Sequence, residues 1–354
     1  MLREFGYHIV TSIYSINKVL QLGMLLDKLS FDHIRIGDHV LIPNPDAQYP
    51  NAQTILSALG ALTKSVKLAT AVTDSYRRNP VEIAQAIATL DILTNGRAVL
   101  GIGAGEEMNL RPFGIEWSQP LRRLREAVEV IRRLWMASSK QRTNYEGKIF
   151  KLTNAYLQVS PIRRPQPPIY IGAAGPKSRE LAGEIADGWI AVAVESPKTL
   201  KRHLADLERG VRRSGRNMEK IDVDITIYTD ISEGSESRRM VERAAKYMLI
   251  QQREVLKELT GLDVPEHLSL QRLDPTDPAS ATSLEEFAAK IPSSVVEEIT
   301  ALGSPEDCIR KIEAFLKSGA TSITVCCLRN EPEKVIDAYA KDILPYLRET
   351  YGGR

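Results

Sequence analysis

The chain has 354 residues, 43% hydrophobic and 26% charged, with 47 Lys plus Arg against 45 Asp plus Glu. That composition is globular and supports a large core, and a formal charge of +2 excludes the basic surface that nucleic acid or an anionic membrane would require. Three cysteines without metal-ligand spacing, no apolar run of bilayer length and no signal-peptide pattern give the expectation of a soluble cytoplasmic protein without a resident metal.

In chain order, a strand is predicted over 4–10 and an amphipathic helix over 15–29. A short strand over 33–37 ends in Asp38-His39, a proline-rich loop spans 40–51, and a helix covers 54–62. The apolar run 66–72 is a third strand. Asn79-Pro80 opens a helix to residue 93, with proline where the helix has no use for an N–H. Asn95-Gly96 is a tight turn into a strand over 98–102, followed by Gly103-Ala104-Gly105-Glu106 and, after an irregular stretch, a helix over 121–136. Its Arg122, Arg123, Arg125, Arg132 and Arg133 alternate with apolar residues and read as a solvated face. Residues 138–166 form an extended excursion. Strand 169–171 runs into Gly172-Ala173-Ala174-Gly175-Pro176 and a helix over 177–186, then strand 188–194, helix 198–213 and strand 222–231. Residues 237–300 are mostly helical with a polar break at 274–281; strand 322–328 and helix 332–347 close the series.

Eight mostly apolar strands alternating with helices predict a parallel sheet covered on both faces. An open doubly wound sheet and a closed (β/α)8 TIM barrel both satisfy this pattern, and the count of eight favours the barrel. It would form one domain over 1–354, with insertions between strands 4 and 5 and between strands 7 and 8.

A barrel builds its site from loops at the C-terminal ends of its strands. Asp38-His39 could hold a planar heterocycle or move a proton, although a capping aspartate beside an incidental histidine would look the same. The small and hydroxyl residues 70–75 would let backbone approach a flat ring, or be an ordinary turn. Gly101 to Glu106 misses the GxGxxG spacing, so its glycines point to close backbone approach and not to a dinucleotide fold. Gly172, Ala173, Ala174 and Gly175 before a helix form either a phosphate cradle or a generic strand-to-helix turn. No GxSxG elbow, Walker loop or HExxH metal motif is present.

At these residues the chain resembles the bacterial-luciferase-like superfamily and, within it, the coenzyme F420 (deazaflavin) oxidoreductases that include methylenetetrahydromethanopterin reductase. The resemblance spans nearly the whole chain and is strongest over 88–117, with Asp38-His39, Ala71-Val72-Thr73-Asp74, Asn79-Pro80 and the run 169–176 at the matching strand ends. It implies that Asp38 and His39 lie near the cofactor ring and that Ala71-Val72 forms a non-prolyl cis bulge pressing on one ring face. It further implies a polar contact from Asp74, a cleft lined by Gly103, Gly105 and Asn109, and a phosphate bound by Gly172 to Gly175. His39 and Glu106 are the candidate acid–base groups for hydride transfer to or from a small organic substrate, a pterin being one candidate. Relatives in this branch imply a homodimer. The sugar-phosphate dehydrogenases of the branch carry an acidic residue where this chain has Thr11-Ser12, and a tryptophan that 40–43 lacks, which argues against that activity. The pterin reductases carry an aspartate at Glu106. The alternative within the superfamily is an FMN-dependent monooxygenase, for which Arg329 is a candidate basic group.

Overall fold

The computed structural model describes all residues except 45, 192–193, 232–234, 270–272, 275–276 and 353–354, and only the backbone of 235–237. Eight parallel strands pair in sequence order: β1 (Glu4–Ile9), β2 (His33–Ile36), β3 (Lys67–Thr70), β4 (Ala98–Gly103), β5 (Ile169–Gly172), β6 (Gly188–Ala191), β7 (Asp222–Asp230) and β8 (Ser322–Cys326). The last returns to the first with Glu4 opposite Ser322, so the sheet closes into a (β/α)8 barrel and the open-sheet alternative falls. Two short strands escaped the sequence reading: Thr73–Asp74 pairs parallel with the end of β4, and Thr300–Leu302, at the end of the stretch expected to be helical, pairs with β7.

The outer layer begins with α1 (Ile16–Lys28), α2 (Ala52–Leu62), α3 (Pro80–Leu93), α4 (Pro120–Met136), α5 (Pro176–Ile185) and α6 (Pro197–Arg213). Helix α2 starts two residues earlier than predicted because the Asn51 side chain accepts from the Thr54 N–H. The second insertion is helical: α7 (Ser235–Gln251), α8 (Arg253–Thr260), α9 (Pro278–Ala288) and α10 (Ser293–Ile299) build their own core around Leu249, Leu256, Leu284, Phe287 and Val296. Helices α11 (Pro305–Lys317), α12 (Glu333–Ala338) and α13 (Leu344–Tyr351) complete the ring. The excursion over 138–166 contains an antiparallel hairpin, Thr143–Glu146 with Lys151–Ala155, latched by Glu126, whose carboxylate accepts the N–H groups of Lys148, Ile149 and Phe150.

Three expectations need correction. The α4 arginines are not simply solvated: Arg123 lies 4.4 Å over the Tyr76 ring and donates to Ser75 O, and Arg132 donates to Asp187. Strand β3 stops at Thr70, two residues short of prediction, and the following Ala71–Val72 peptide bond is cis. Strand β6 is described as far as Ala191, and Val194, the end of its predicted span, lies in a turn; the 192–193 part of that span lies outside the described residues, as do residue 45 of the loop 40–51 and 270–272 and 275–276 of the stretch 237–300.

The strands are also less apolar than read. Phe5, Tyr7, Ile34, Leu100, Ile171, Trp189, Ile225 and Ile323 belong to the main apolar core. The alternate positions fill the lumen with polar groups. There His33 bonds Thr324 at 2.7 Å, Thr324 donates to Asp224 at 2.8 Å, Arg35 pairs with the fully buried Asp224, and Lys67 pairs with Glu4. Tyr170 OH and Ser322 donate to Asp222. Burial would raise the Glu4 carboxyl, but His33 and Lys67 hold it down to about 2. Among the described residues no helix is long and apolar enough to cross a membrane.

Candidate functional site

At the C-terminal ends of β2, β3 and β4, two aspartates and two arginines interlock. Asp38, buried, accepts from Arg78 Nη1 at 2.5 Å and from Arg77 Nη2 at 3.3 Å. Asp74 accepts from the Tyr76 and Arg77 N–H groups at 2.8 and 2.9 Å and from Arg77 Nε at 2.6 Å. Arg77 also reaches the Asp38 carbonyl. Both carboxylates therefore hold the loop after β3 against the end of β2. The sequence reading singled out Asp38 and Asp74 but passed over Arg77 and Arg78, although two consecutive cations three residues past a strand-end aspartate were a visible signal.

Beside this pair stands a second group. His39 Nδ1 is 3.1 Å from Asn109 Nδ2 and 3.3 Å from Glu106 Oε2, and Asn109 Nδ2 donates to Glu106 at 3.2 Å. Asn109 is buried and is held by its Oδ1, which accepts the N–H groups of Val40 and Leu41 at 2.7 and 2.8 Å. One Nδ1 thus has two partners of opposite character. When it is unprotonated it accepts from Asn109; when it carries a proton it donates to Glu106. Burial alone would lower the His39 pKa, but the charge and hydrogen bond of Glu106 outweigh it and the net shift is upward. Burial would likewise raise Glu106, and His39 and Asn109 turn the shift downward. The Tyr49 ring meets the His39 ring edge-on at 5.3 Å. His39 Nε2 has no hydrogen-bond partner among the described residues, and about a third of each of the His39 and Glu106 side chains is exposed (32% and 36%). His8, on β1 inside the barrel, went unnoticed in the sequence; burial and the charges of Arg35 and His39 lower its pKa to about 4, so it is neutral near pH 7.

Between these polar groups and β5 lies an apolar shelf. Ala71 and Val72 are half-buried, and the Val72 side chain packs where side chains of Gly103 and Gly172 would stand. A Cβ on Gly103 would come within 2.7 Å of Val72 Cγ2, and one on Gly172 within 3.0 Å of Val72 Cγ1. These two glycines are required by Val72 itself, a packing reason the sequence could not show. Gly105 adopts φ +75°, the left-handed region, which releases the chain towards Glu106.

The shelf adjoins the turn at the start of α5. Trp189 Nε1 donates to Ala173 O at 2.9 Å, and Arg179 Nη1 donates to Ala174 O. The Gly175 N–H goes to Ser178 Oγ at 3.0 Å, whereas those of Ala174 and Lys177 have no partner among the described residues. A Cβ on Gly175 would meet only Ser178 Oγ, at 3.9 Å, so open space lies in front of the turn. The structure therefore brings together all the predicted site residues: His39, Glu106 and Asn109 in one group, Asp38 and Asp74 in its supporting clamp, and Ala71, Val72, Gly103, Gly105 and Gly172 to Gly175 along shelf and turn. Among the described residues no three His, Cys, Asp or Glu side chains converge as a metal site.

The luciferase-like monooxygenase family matches residues 2–322. An F420-dependent glucose-6-phosphate dehydrogenase of Microbacterium testaceum is 29% identical, over 98% of both chains. A 5,10-methylenetetrahydromethanopterin reductase of Archaeoglobus fulgidus is 28% identical, over 92% of this chain and 94% of its own. A solved F420-dependent secondary alcohol dehydrogenase, in complex with an F420-acetone adduct, superposes with a TM-score of 0.83 at 25% identity, covering 97% of this chain and 99% of that one.

Proposed function

The chain belongs to the luciferase-like monooxygenase family, and from that premise we propose that it is a coenzyme F420-dependent oxidoreductase acting on a small organic substrate. The observation that carries this reading is the continuity of three surfaces at one end of the barrel: the polar group at His39, the apolar shelf at Val72, and the Ala174 and Lys177 N–H groups, which have no partner among the described residues. A flat ring with an anionic tail needs those three in that order. Ala71 and Val72 would support the ring, Gly103 and Gly105 would give it room, and the N–H groups of Ala174 and Lys177 would take the phosphate. When bound, the deazaflavin supplies or accepts the hydride.

The protein's own part is positioning and proton handling. His39 presents Nε2 to the mouth while its Nδ1 changes partner between Asn109 and Glu106, so a proton gained or lost at Nε2 is matched by a prepared partner on the far side of the ring. Asp38 and Asp74, occupied by Arg77 and Arg78, fix the backbone from which His39 and Val72 project. The two curated relatives are almost equally distant, 29% and 28%, so identity does not choose between a sugar phosphate and a pterin. Thr11-Ser12 and the segment 40–43 still speak against the former. The homodimer is part of the same proposal, supported by Leu62, Ile92 and Leu93, about half exposed at the neighbouring ends of α2 and α3.

Fluorescence titration with F420 and, separately, with FMN tests the reading. Saturable F420 binding that weakens in Gly172→Val is expected, since the new side chain would collide with Val72. Tight FMN binding with oxygen-dependent turnover, or no binding of either, overturns it.

A further inference from the structure

We infer that Arg179, held by Asp206, is a positioning residue for the phosphate-bearing tail of the cofactor: by holding the Ala174 carbonyl it fixes the Ala174–Gly175 peptide unit, and with it the turn in which the Ala174 N–H is left without a partner among the described residues. The inference rests on the proposed cofactor reading. Arg179 is 1% exposed, and its place on α5 puts it in the same stripe as the buried Ala182 and Gly183, where an apolar residue would be expected. It is committed on both sides. Nε and Nη2 donate to Asp206 of α6 at 2.8 and 2.7 Å, and Nη1 donates to the Ala174 carbonyl.

In a planar trans peptide the N–H points opposite to the C=O. Drawing the Ala173 carbonyl inward through Trp189 therefore sends the Ala174 N–H outward, and drawing the Ala174 carbonyl inward through Arg179 does the same for Gly175. Ser178 then gathers the Gly175 N–H into the start of the helix. Two buried donors thus fix the peptide units on both sides of Ala174, whose own N–H is left without a partner among the described residues. The depth of Arg179 is fixed in turn by the approach of α5 and α6: a Cβ on Gly183 would lie 2.1 Å from Leu207 O, and one on Gly210 1.9 Å from Glu180 O. Helices this close leave Arg179 the Asp206 carboxylate on α6 and the Ala174 carbonyl to hold, with the Glu254 carboxylate of α8 at 3.7 Å from Nη2.

The test uses two ligands that share the chromophore: F420, and the deazaflavin riboside that lacks the phosphate and everything beyond it. Fluorescence titrations would be run on wild type, Arg179→Met, Arg179→Lys and Asp206→Asn. Losing a charge-assisted hydrogen bond should weaken F420 binding about tenfold or more in Arg179→Met, with the riboside within about twofold of wild type. Arg179→Lys should recover part of the loss. Asp206→Asn, which loosens Arg179 without removing it, should show the same selectivity at smaller size and serves if Arg179→Met does not fold. Equal weakening of both ligands would mean a general role in stability, and unchanged F420 affinity would mean no role; either overturns the inference. Wild type that binds neither ligand instead removes the cofactor reading on which it depends.

Discussion

The two ends of the barrel use their carboxylates differently. At the N-terminal end, Asp27 accepts the N–H groups of Lys64, Ser65 and Val66, Asp32 that of Phe5, Asp91 those of Ile162 and Arg163, and Asp187 that of Ile169. Each ties a helix-to-strand connection to backbone N–H groups that do not titrate, and the side chains that Asp32 and Asp187 also meet are arginines, whose charge is fixed. At the C-terminal end, Asp38 faces arginine side chains and Glu106 faces a histidine. A carboxylate on amide groups only holds, whereas one on an imidazole also sets when a proton arrives. Stability is concentrated at one end and adjustable charge at the other, the division expected of a barrel whose chemistry lives on its βα loops.

Substitutions at the two ends can break or sharpen that contrast. The largest effect is expected below the mouth, in the lumen. Asp224→Ala leaves Arg35 buried without its carboxylate and should cost about 3–5 kcal/mol of stability, read from denaturant unfolding. Asp27→Ala, which removes a partly exposed latch on three N–H groups, should cost about 2 kcal/mol and leave the F420 affinity of the folded fraction unchanged. Loss of affinity in that variant would blur the contrast. At the mouth the order reverses: Glu106→Gln should change stability by less than about 1 kcal/mol, because the pair is a third exposed, yet reduce turnover markedly. A variant with full turnover would take Glu106 out of proton handling.

The smallest effect is a titration. His39 has a raised pKa, so its share of the pair's stabilisation is complete below the ordinary histidine value and is lost as pH rises through the raised one. Glu106 has a lowered pKa, so its share is present above the ordinary carboxyl value and is lost as pH falls through the lowered one. The pair should therefore contribute most between the reference values of 4.5 and 6.5. By NMR, the His39 midpoint should lie above 6.5 in wild type and drop in Glu106→Gln; a midpoint that stays put would break the assignment.

Much of this was legible in the residues. The strand–helix alternation gave the barrel, and strand-end positions gave Asp38, His39, Glu106 and the turn 172–175. What escaped was pairing across the fold. The alternation in His33-Ile34-Arg35-Ile36 and Asp222-Val223-Asp224-Ile225 was visible as period two, but its polar half is intelligible only once β2 and β7 face each other across the lumen. Likewise Gly103 and Gly172 looked like room for a ligand, and part of the reason for them is Val72. Arg179 gave a readable cue, a cation in an apolar stripe, but no cue to the carbonyl it holds. The helices over 235–299 formed roughly as expected, whereas Thr300–Leu302 is too short for its pattern to stand out.

The polar lumen carries a last consequence. Its ion pairs join Glu4 and Arg35, from the first tenth of the chain, to Lys67 and Asp224, and His33 reaches across to Thr324. Glu4 and Lys67 both lie in the first half, but Arg35 and Asp224 fall on opposite sides of a cut between β4 and β5, so such a fragment would leave Arg35 among its apolar surroundings without its carboxylate. The protein should resist being assembled from independently folding halves, and its synthesis must run nearly to completion before the centre of the barrel can close.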